Sequence, residues 1–401
     1  MLTETLLRSA RDLSDGIVAL RRAIHAEPEL GLETPKTMAK VREALADLPL
    51  TWREGTSCTG AVATLEGTAA GENRRVLLRG DMDALPMDEK TGLDFASTVP
   101  GRMHACGHDT HTAMLAGAAR LLSGQRDSFS GTVDFMFQPG EEGYHGARFM
   151  IDDGLLDPLP DAAFALHIMP NAPFGVLAGK PGPLLAAADE FTIIVKGQGG
   201  HASMPHDCVD PVPGAAAIVS AIQAMVTRRF NAASPVIVTV TQIHAGTAHN
   251  VIADEVMLGG TMRTLSPEHR AKVHALVEQT ATEIARGYGL EATCEIRHGF
   301  PVTICDPRAV ALGRKVATGI GGEAGWRELS DPIMGAEDFS YVLEKVPGAM
   351  FFLGVAREGE DWRSCCAIHS PRMHVDENAL PNGTAMLAGC ALEFLERGWA
   401  D

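Results

Sequence analysis

The sequence predicts an α/β protein in two parts, a mostly parallel sheet with helices on both faces, interrupted by a smaller α+β domain. Three observations predict it. Short apolar runs separated by glycine alternate with helical stretches from about residue 60; the texture changes at a proline- and glycine-rich stretch, 172–185; and it returns after about residue 300. The 401 residues also exceed one ordinary core, since domains run to roughly 100–200 residues.

Residues 1–48 read as helical, with "LSDGIVALRRAIHAEPELG" carrying leucine and isoleucine at helical spacing until Pro28. This segment offers no obvious chemistry. "GAVATLEG", "RRVLLRGD", "GTVDFMFQPG" and "DAAFALHIMP" each read as a buried strand and a turn. Between them lies the helix "HTAMLAGAARLLSG", with Asp109 as its expected cap and Gly124 as its end. Stretch 172–185 reads as a linker. The interruption, 186–299, runs strand "DEFTIIVKG", helix "DPVPGAAAIVSAIQAMVTRR", strands "PVIVTVTQIHAG" and "DEVMLGGTMRTL", helix "SPEHRAKVHALVEQTATEIARG" and strand "EATCEIRH". That is the order of a split βαβ, or ferredoxin-like, unit. In its second helix Ser266 is placed to cap, Pro267 suits the first helical position, and Gly287 or Gly289 ends it. "GAMFFLGVA" and a closing helix, "NALPNGTAMLAGCALEFLERG", complete a first domain made of 1–185 and 300–401.

Composition narrows the function. Against 34 Lys and Arg stand 51 Asp and Glu, and the net charge of −17 repels nucleic acid and anionic membranes. An anionic substrate therefore needs a metal or a placed Arg. The N-terminus lacks an apolar signal core, and no apolar run reaches the roughly 18 residues of a membrane span. We expect a cytoplasmic protein. Eight scattered cysteines do not form a disulfide scaffold, and the adjacent Cys365 and Cys366 read as structural or incidental.

The chemistry gathers past strand ends. Asp81 and Asp83 follow "RRVLLRG", Glu141 and Glu142 follow "TVDFMFQPG", and His167 ends "AAFAL"; in open α/β sheets ligands bind at that edge. Cys106 and His108 precede the helix near Asp109, where free backbone N–H groups favour a thiolate, and a thiolate can bridge two cations. Their spacing fits neither a zinc finger nor a helical HExxH pair. In "GEEG", one acid can coordinate while its neighbour takes a proton from activated water. His104, His111 and His374 read as hydrogen-bonded core histidines, and Met82, Met87, Met103, Met114 and Met136 as core fillers.

Taken in order, "RGDMDALP", "MHACGHDTHTA", "QPGEEG", "ALHIMP", "GQGGHASMP", "AHNVIADEVMLGGTMRTL", "GAEDFS" and "IHSPRMHVDE" resemble bacterial and plant amidohydrolases. That family includes hippurate hydrolase, N-acetyl-diaminopimelate deacetylase and indoleacetyl-amino-acid hydrolases. It sits in a wider dinuclear metallopeptidase group with aminoacylases and glutamate carboxypeptidases. The resemblance implies two divalent metal ions, zinc first, with Mn, Co or Ni accepted by the same ligand types. Cys106 would bridge them, with His108 and His167 on one side and Glu142 and His369 on the other. Glu141 would be the general base, and His201, delivered from the small dimerisation (lid) domain of a partner subunit, the oxyanion donor. Asn250 and Arg263 would hold the substrate, the guanidinium gripping a carboxylate. Asp83 would orient a ligand or cap a turn. Where relatives commonly begin a metal motif with His this chain has Asp81, which leaves Asp81 as a possible substitute ligand.

The activity so implied is hydrolysis of N-acyl or N-aroyl amino acids by a homodimer or higher homo-oligomer, with a carboxypeptidase or dipeptidase as the alternative on the same scaffold. Two other classes make different predictions. A thiol hydrolase using Cys106 as nucleophile would ignore chelators, and a metal-storage protein would bind metal without turnover.

Overall fold

The structure, a computed structural model, describes residues 2–357, 361 and 366–399. Two compact units result: Met1–Leu184 with Ile304–Asp331 and Asp338–Asp401, and Leu185–Thr303 with Pro332–Glu337. The short return of 332–337 to the second unit has no counterpart in the sequence expectation, which assigned all of 300–401 to the first domain.

In chain order the first unit contains α1 (Leu2–Asp12), α2 (Ser14–His25), α3 (Pro35–Ala44), β1 (Thr51–Glu54), β2 (Ala61–Glu66), β3 (Arg75–Asp81) and α4 (His108–Ser123). Next come β4 (Thr132–Gln138), α5 (Gly146–Asp152), β5 (Ala162–Met169), β6 (Leu177–Gly179) and β7 (Gly182–Leu185). The second unit holds β8 (Ala187–Lys196), β9 (Gly200–His201), α6 (Pro211–Arg229), β10 (Val236–Ala245), β11 (Val251–Ile252), β12 (Glu255–Thr264), α7 (Pro267–Gly287) and β13 (Glu291–Arg297). After β14 (Thr303–Cys305) come α8 (Pro307–Gly321), β15 (Trp326–Glu328), α9 (Ser340–Leu343), β16 (Gly348–Gly354) and α10 (Leu380–Arg397).

The large sheet runs β1-β2-β4-β3-β5-β16-β6-β15, and its centre, from β4 to β16, is parallel. β4 and β16 are buried at every position. A strand covered on both faces is mostly apolar at successive positions, so these segments read as runs rather than alternations, and the buried Asp134 and Gln138 of β4 are hydrogen-bonded. The fold class is the α/β arrangement expected, a large mostly parallel sheet with helices packed on it. Parallel register sets Asp81 opposite Gln138, so the loops leaving β3 and β4 emerge at one edge of the sheet.

Two local expectations fail. Stretch 172–185 is not only a linker, because Leu177–Gly179 forms β6 inside the large sheet, pairing with β16 and β15. Three residues are too few to show a period among glycines and prolines. Nor does Asp109 cap α4: the cap is Gly107, at φ 93°, and Asp109 lies buried within the first turn.

In the second unit β10-β12-β8-β13 form one antiparallel sheet in βαββαβ chain order, the ferredoxin-like pattern. β8 alternates buried and more open positions. Its inward Phe191, Ile193 and Val195 pack with Ile218 and Ile222 of α6 and Val273 and Val277 of α7. The Ser266 side chain accepts the His269 N–H, capping α7 as expected. Among the described residues no helix is long and apolar enough to cross a membrane.

Candidate metal centre

Four segments of the first unit, among them the start of α4 and the end of β5, bring the expected ligand types together, and His167 lies within β5 rather than past its end. Cys106, His108 and His167 place one ligand atom each within 4.8 Å of one another, and so do Cys106, Glu142 and His369. Cys106 is common to both groups. His108, Glu141 and Glu142 form a third such group. Gly107 makes the approach possible, since a Cβ there would lie 2.4 Å from Ile168 Cγ1 and φ is 93°. His369 is itself at φ 66°, a conformation seldom adopted by residues other than glycine, and its N–H donates to the Ala105 carbonyl at 2.6 Å.

The hydrogen bonds show which lone pairs are unspent. His167 Nδ1–H donates to the Ile168 carbonyl at 2.6 Å, which leaves Nε2 as the bare nitrogen, 3.3 Å from Cys106 Sγ. A carbonyl behind the ring that fixes the tautomer is the usual support of a metal-binding imidazole. His108 is fully buried, yet neither ring nitrogen has a hydrogen-bond partner, and Glu142 Oε1 is equally orphaned. Buried polar atoms without partners are costly and call for a missing group. His108 Nε2 sits 3.7 Å from Asp81 and 4.0 Å from both Glu141 and Glu142, while Nδ1 is 3.5 Å from Asp83. This donor set of one thiol, three imidazoles and a carboxylate fits a pair of divalent ions.

The electrostatics ask for positive charge. Burial opposes protonation of His108, but the Asp81 carboxylate and the Cys106 sulfur outweigh it and raise its pKa well above the usual histidine range. His369 is pushed up to about 10 by the nearby Cys106 sulfur and Glu142 carboxylate, whose Oε1 lies 3.4 Å from its Nε2, too loosely placed to be a hydrogen bond. Burial drives His167 well below the ordinary value, so it stays neutral and able to ligate. Burial also raises the Cys106 thiol, against the sequence expectation that the helix start alone would favour the thiolate. A bound cation is what would hold that sulfur deprotonated.

Behind these atoms stands a scaffold of carboxylates. Asp83 accepts the backbone N–H groups of Glu141 and Glu142 at 2.9 and 3.0 Å, fixing the loop that carries both acids. Asp81 already accepts Arg79 on one oxygen at 2.5 Å and pairs with His111 Nδ1 through the other at 2.7 Å, and with His108 and His111 it forms a further group at metal-ligand spacing. His111 Nε2 accepts the Ile168 N–H at 2.9 Å, so His111 is the hydrogen-bonded core histidine expected. His104 is not: it is buried with neither nitrogen partnered, and burial lowers it to about 3. His374 is half-buried beside Arg357 rather than in the core. Of the methionines, Met82, Met103, Met114 and Met136 are buried as core fillers and Met87 is half-buried. Cys365 lies outside the described residues.

Several contributors went unread in the sequence. Asp109 accepts Arg21 Nε at 2.7 Å and pairs with His25 Nδ1 at 2.8 Å, so α2 clamps the helix that begins with His108. Arg79 and Asp338 are buried polar residues of the same kind. A charged residue inside an apolar strand run, as in "VLLRGD", was the available signal. In the second unit β9 pairs with β11, setting His201 opposite Val251, and the Ala202 N–H donates to the Asn250 carbonyl at 3.0 Å. His201 and Asn250 are thus neighbours, whereas Arg263 lies on β12, its guanidinium 3.4 Å from the Met262 carbonyl.

Comparison with known proteins places the chain in a family. The chain is 38% identical over 401 residues to thermostable carboxypeptidase 1 of Saccharolobus solfataricus, covering 98% of this chain and 99% of that one. It is 36% identical to an N-acetylcysteine deacetylase of Bacillus subtilis, covering 95% and 97%. Among solved structures, a dinuclear metal-binding peptidase from Bacillus subtilis superposes with a TM-score of 0.83 at 32% identity, covering 96% of this chain and 99% of that one. The profile of peptidase family M20/M25/M40 matches residues 77–393, and the chain belongs to that family of hydrolases.

Proposed function

We propose that this hydrolase cleaves the amide bond of N-acyl or N-aroyl amino acids, releasing a carboxylic acid and a free amino acid, with two divalent cations at the Cys106 centre. One observation carries the reading: Cys106 is shared by two groups of ligand atoms, and the orphaned lone pairs of His108 and Glu142 lie around it. His108 and His167 would hold one ion, Glu142 and His369 the other, and Cys106 both. Zinc suits these donors best, with Mn, Co or Ni also accepted. When bound, the ions would supply Lewis acidity toward a carbonyl and toward water.

The chain's own residues do the rest. Glu141, buried beside His108 and anchored through its N–H by Asp83, takes the proton at its carboxylate and returns it to the departing amine nitrogen. His201, supplied by a partner subunit of a homodimer, is assigned as the oxyanion donor, with Asn250 and Arg263 binding the substrate's polar groups. The four-stranded sheet of the second unit has open edges at β10 and β13, the surface such a dimer would use. We place the enzyme in the cytoplasm. The deacetylase relative supports an acylated amino acid as substrate; the carboxypeptidase relative keeps a peptidase in view. A Cys106 nucleophile is disfavoured, because burial raises its thiol.

The test is hydrolysis of acetyl, benzoyl and longer acyl amino acids and of dipeptides by metal-reconstituted protein, with and without chelator. Turnover of the acyl series that chelation abolishes supports the reading. Turnover confined to dipeptides transfers it to the peptidase alternative, and turnover indifferent to chelation removes the metal centre from the chemistry.

A further inference from the structure

The loop bearing Glu141 and Glu142 leaves β4 at Gln138 and enters α5 at Gly146, and one buried carboxylate holds both ends. Asp338, fully buried, accepts Arg79 Nη2 at 3.0 Å and Gln138 Nε2 at 2.8 Å on Oδ1. Its Oδ2 accepts Gln138 Nε2 at 2.9 Å and the backbone N–H of Ala147 at 2.9 Å. Arg79 in turn donates to Gln138 Oε1 at 2.8 Å and to Asp81 at 2.5 Å. Between these anchors the chain turns tightly: the Gly146 N–H donates to the Gly140 carbonyl at 3.0 Å, and a Cβ at Gly146 would fall 1.6 Å from the Pro139 carbonyl oxygen. Three residues beyond Asp338, the Tyr341 hydroxyl meets His145 Nδ1 at 2.9 Å, a second tie to the same loop.

We propose that Asp338 is a positioning residue for Glu142 and Glu141, setting the height of their loop over Cys106 by accepting the Ala147 N–H while it is locked to β3 and β4. Every group that reaches it is a donor, so only an acceptor-only side chain satisfies the site. An asparagine of the same shape would turn an NH2 group toward one of those donors and release the loop at one end. The inference rests on the metal-centre reading above, and its effect falls on the Glu142 side rather than on the His167 side.

The test is Asp338→Asn, assayed for zinc content after dialysis at defined free zinc as well as for turnover. One of the two ions should be held about 10–100-fold more weakly and kcat should fall by a similar factor, as for other residues that orient ligands, with KM unchanged. In the double variant Asp338→Asn with Gln138→Glu the asparagine can donate its NH2 to the new carboxylate and turn its carbonyl oxygen to the Ala147 N–H, so zinc retention and kcat should recover in large part. Wild-type zinc retention and kcat in Asp338→Asn, or a double variant no better than the single one, would overturn the proposal. If neither variant folds, amide exchange in the unaltered protein decides. Ala147 N–H should exchange far more slowly than Gly143 N–H, and equal rates would refute the clamp. An enzyme inactive on every acyl amino acid whose zinc retention still depends on Asp338 would sink the proposed function and leave the positioning role standing.

Discussion

Two regions of the molecule gather carboxylates and imidazoles at metal-ligand spacing, and they differ in what their lone pairs already do. In the second unit Asp189, His274 and His298 bring ligand atoms within 4.8 Å. Asp189, however, is saturated: it accepts Arg270 twice, at 2.9 and 2.7 Å, the Gly299 N–H at 2.9 Å and His274 Nε2 at 2.8 Å. Around Cys106 in the first unit, both nitrogens of His108 and one oxygen of Glu142 are buried and unspent. Proximity of ligand types is therefore a weak signal, and unspent hydrogen-bonding capacity is the stronger one. The Asp189 cluster is an internal ion network that staples α7 to β8, and the Cys106 cluster is a place where a cation is wanted.

Four variants sharpen or break that contrast, in descending order of effect. Cys106→Ala removes the atom common to both ligand groups and should take both ions and all measurable turnover with it, read by elemental analysis and by the acyl amino acid assay. Glu141→Gln should lower kcat about 10²–10⁴-fold, the usual worth of a general base, with metal content unchanged. Asp189→Asn should leave metal content and kcat alone but cost about 3 kcal/mol in denaturant unfolding, the lower end for breaking a buried ion pair, because Arg270 is partly exposed. His274→Asn, which removes a single hydrogen bond to Asp189, should cost only about 1 kcal/mol.

The Asp189 network also carries a pH signature of definite sign. Burial alone would raise its pKa, but Arg270 and His274 pull it well below the ordinary carboxylate value of 3.8. Its contribution to stability is then complete above that value and is lost as pH falls below it. Asp189→Asn should flatten the acid limb of the stability profile.

Much of this was legible in the sequence, for reasons particular to each element. β3, β4 and β5 are largely apolar runs with acids or histidine at or near their carboxyl ends, so composition and position named both strand and site. The ligand types sat in short motifs because loops at one sheet edge deliver them. What stayed illegible depended on pairings distant in sequence. Asp109 read as a helix cap, yet its partners Arg21 and His25 are 88 and 84 residues away, in a helix that showed no chemistry of its own. Asp81 read as a possible ligand because its pairing with His111, 30 residues away, leaves no local trace, although Arg79 two positions before it on β3 was visible. β6 was lost among prolines and glycines, and the clamp at Asp338 joins Arg79 and Gln138 across hundreds of residues.

Anomalous diffraction from zinc-loaded crystals tests the central claim most directly. We predict two peaks about 3.5–4 Å apart, the usual separation in two-metal sites, flanking the Cys106 sulfur, and none at Asp189. An absence of density at Cys106, or an ion at Asp189 in its place, would contradict the account.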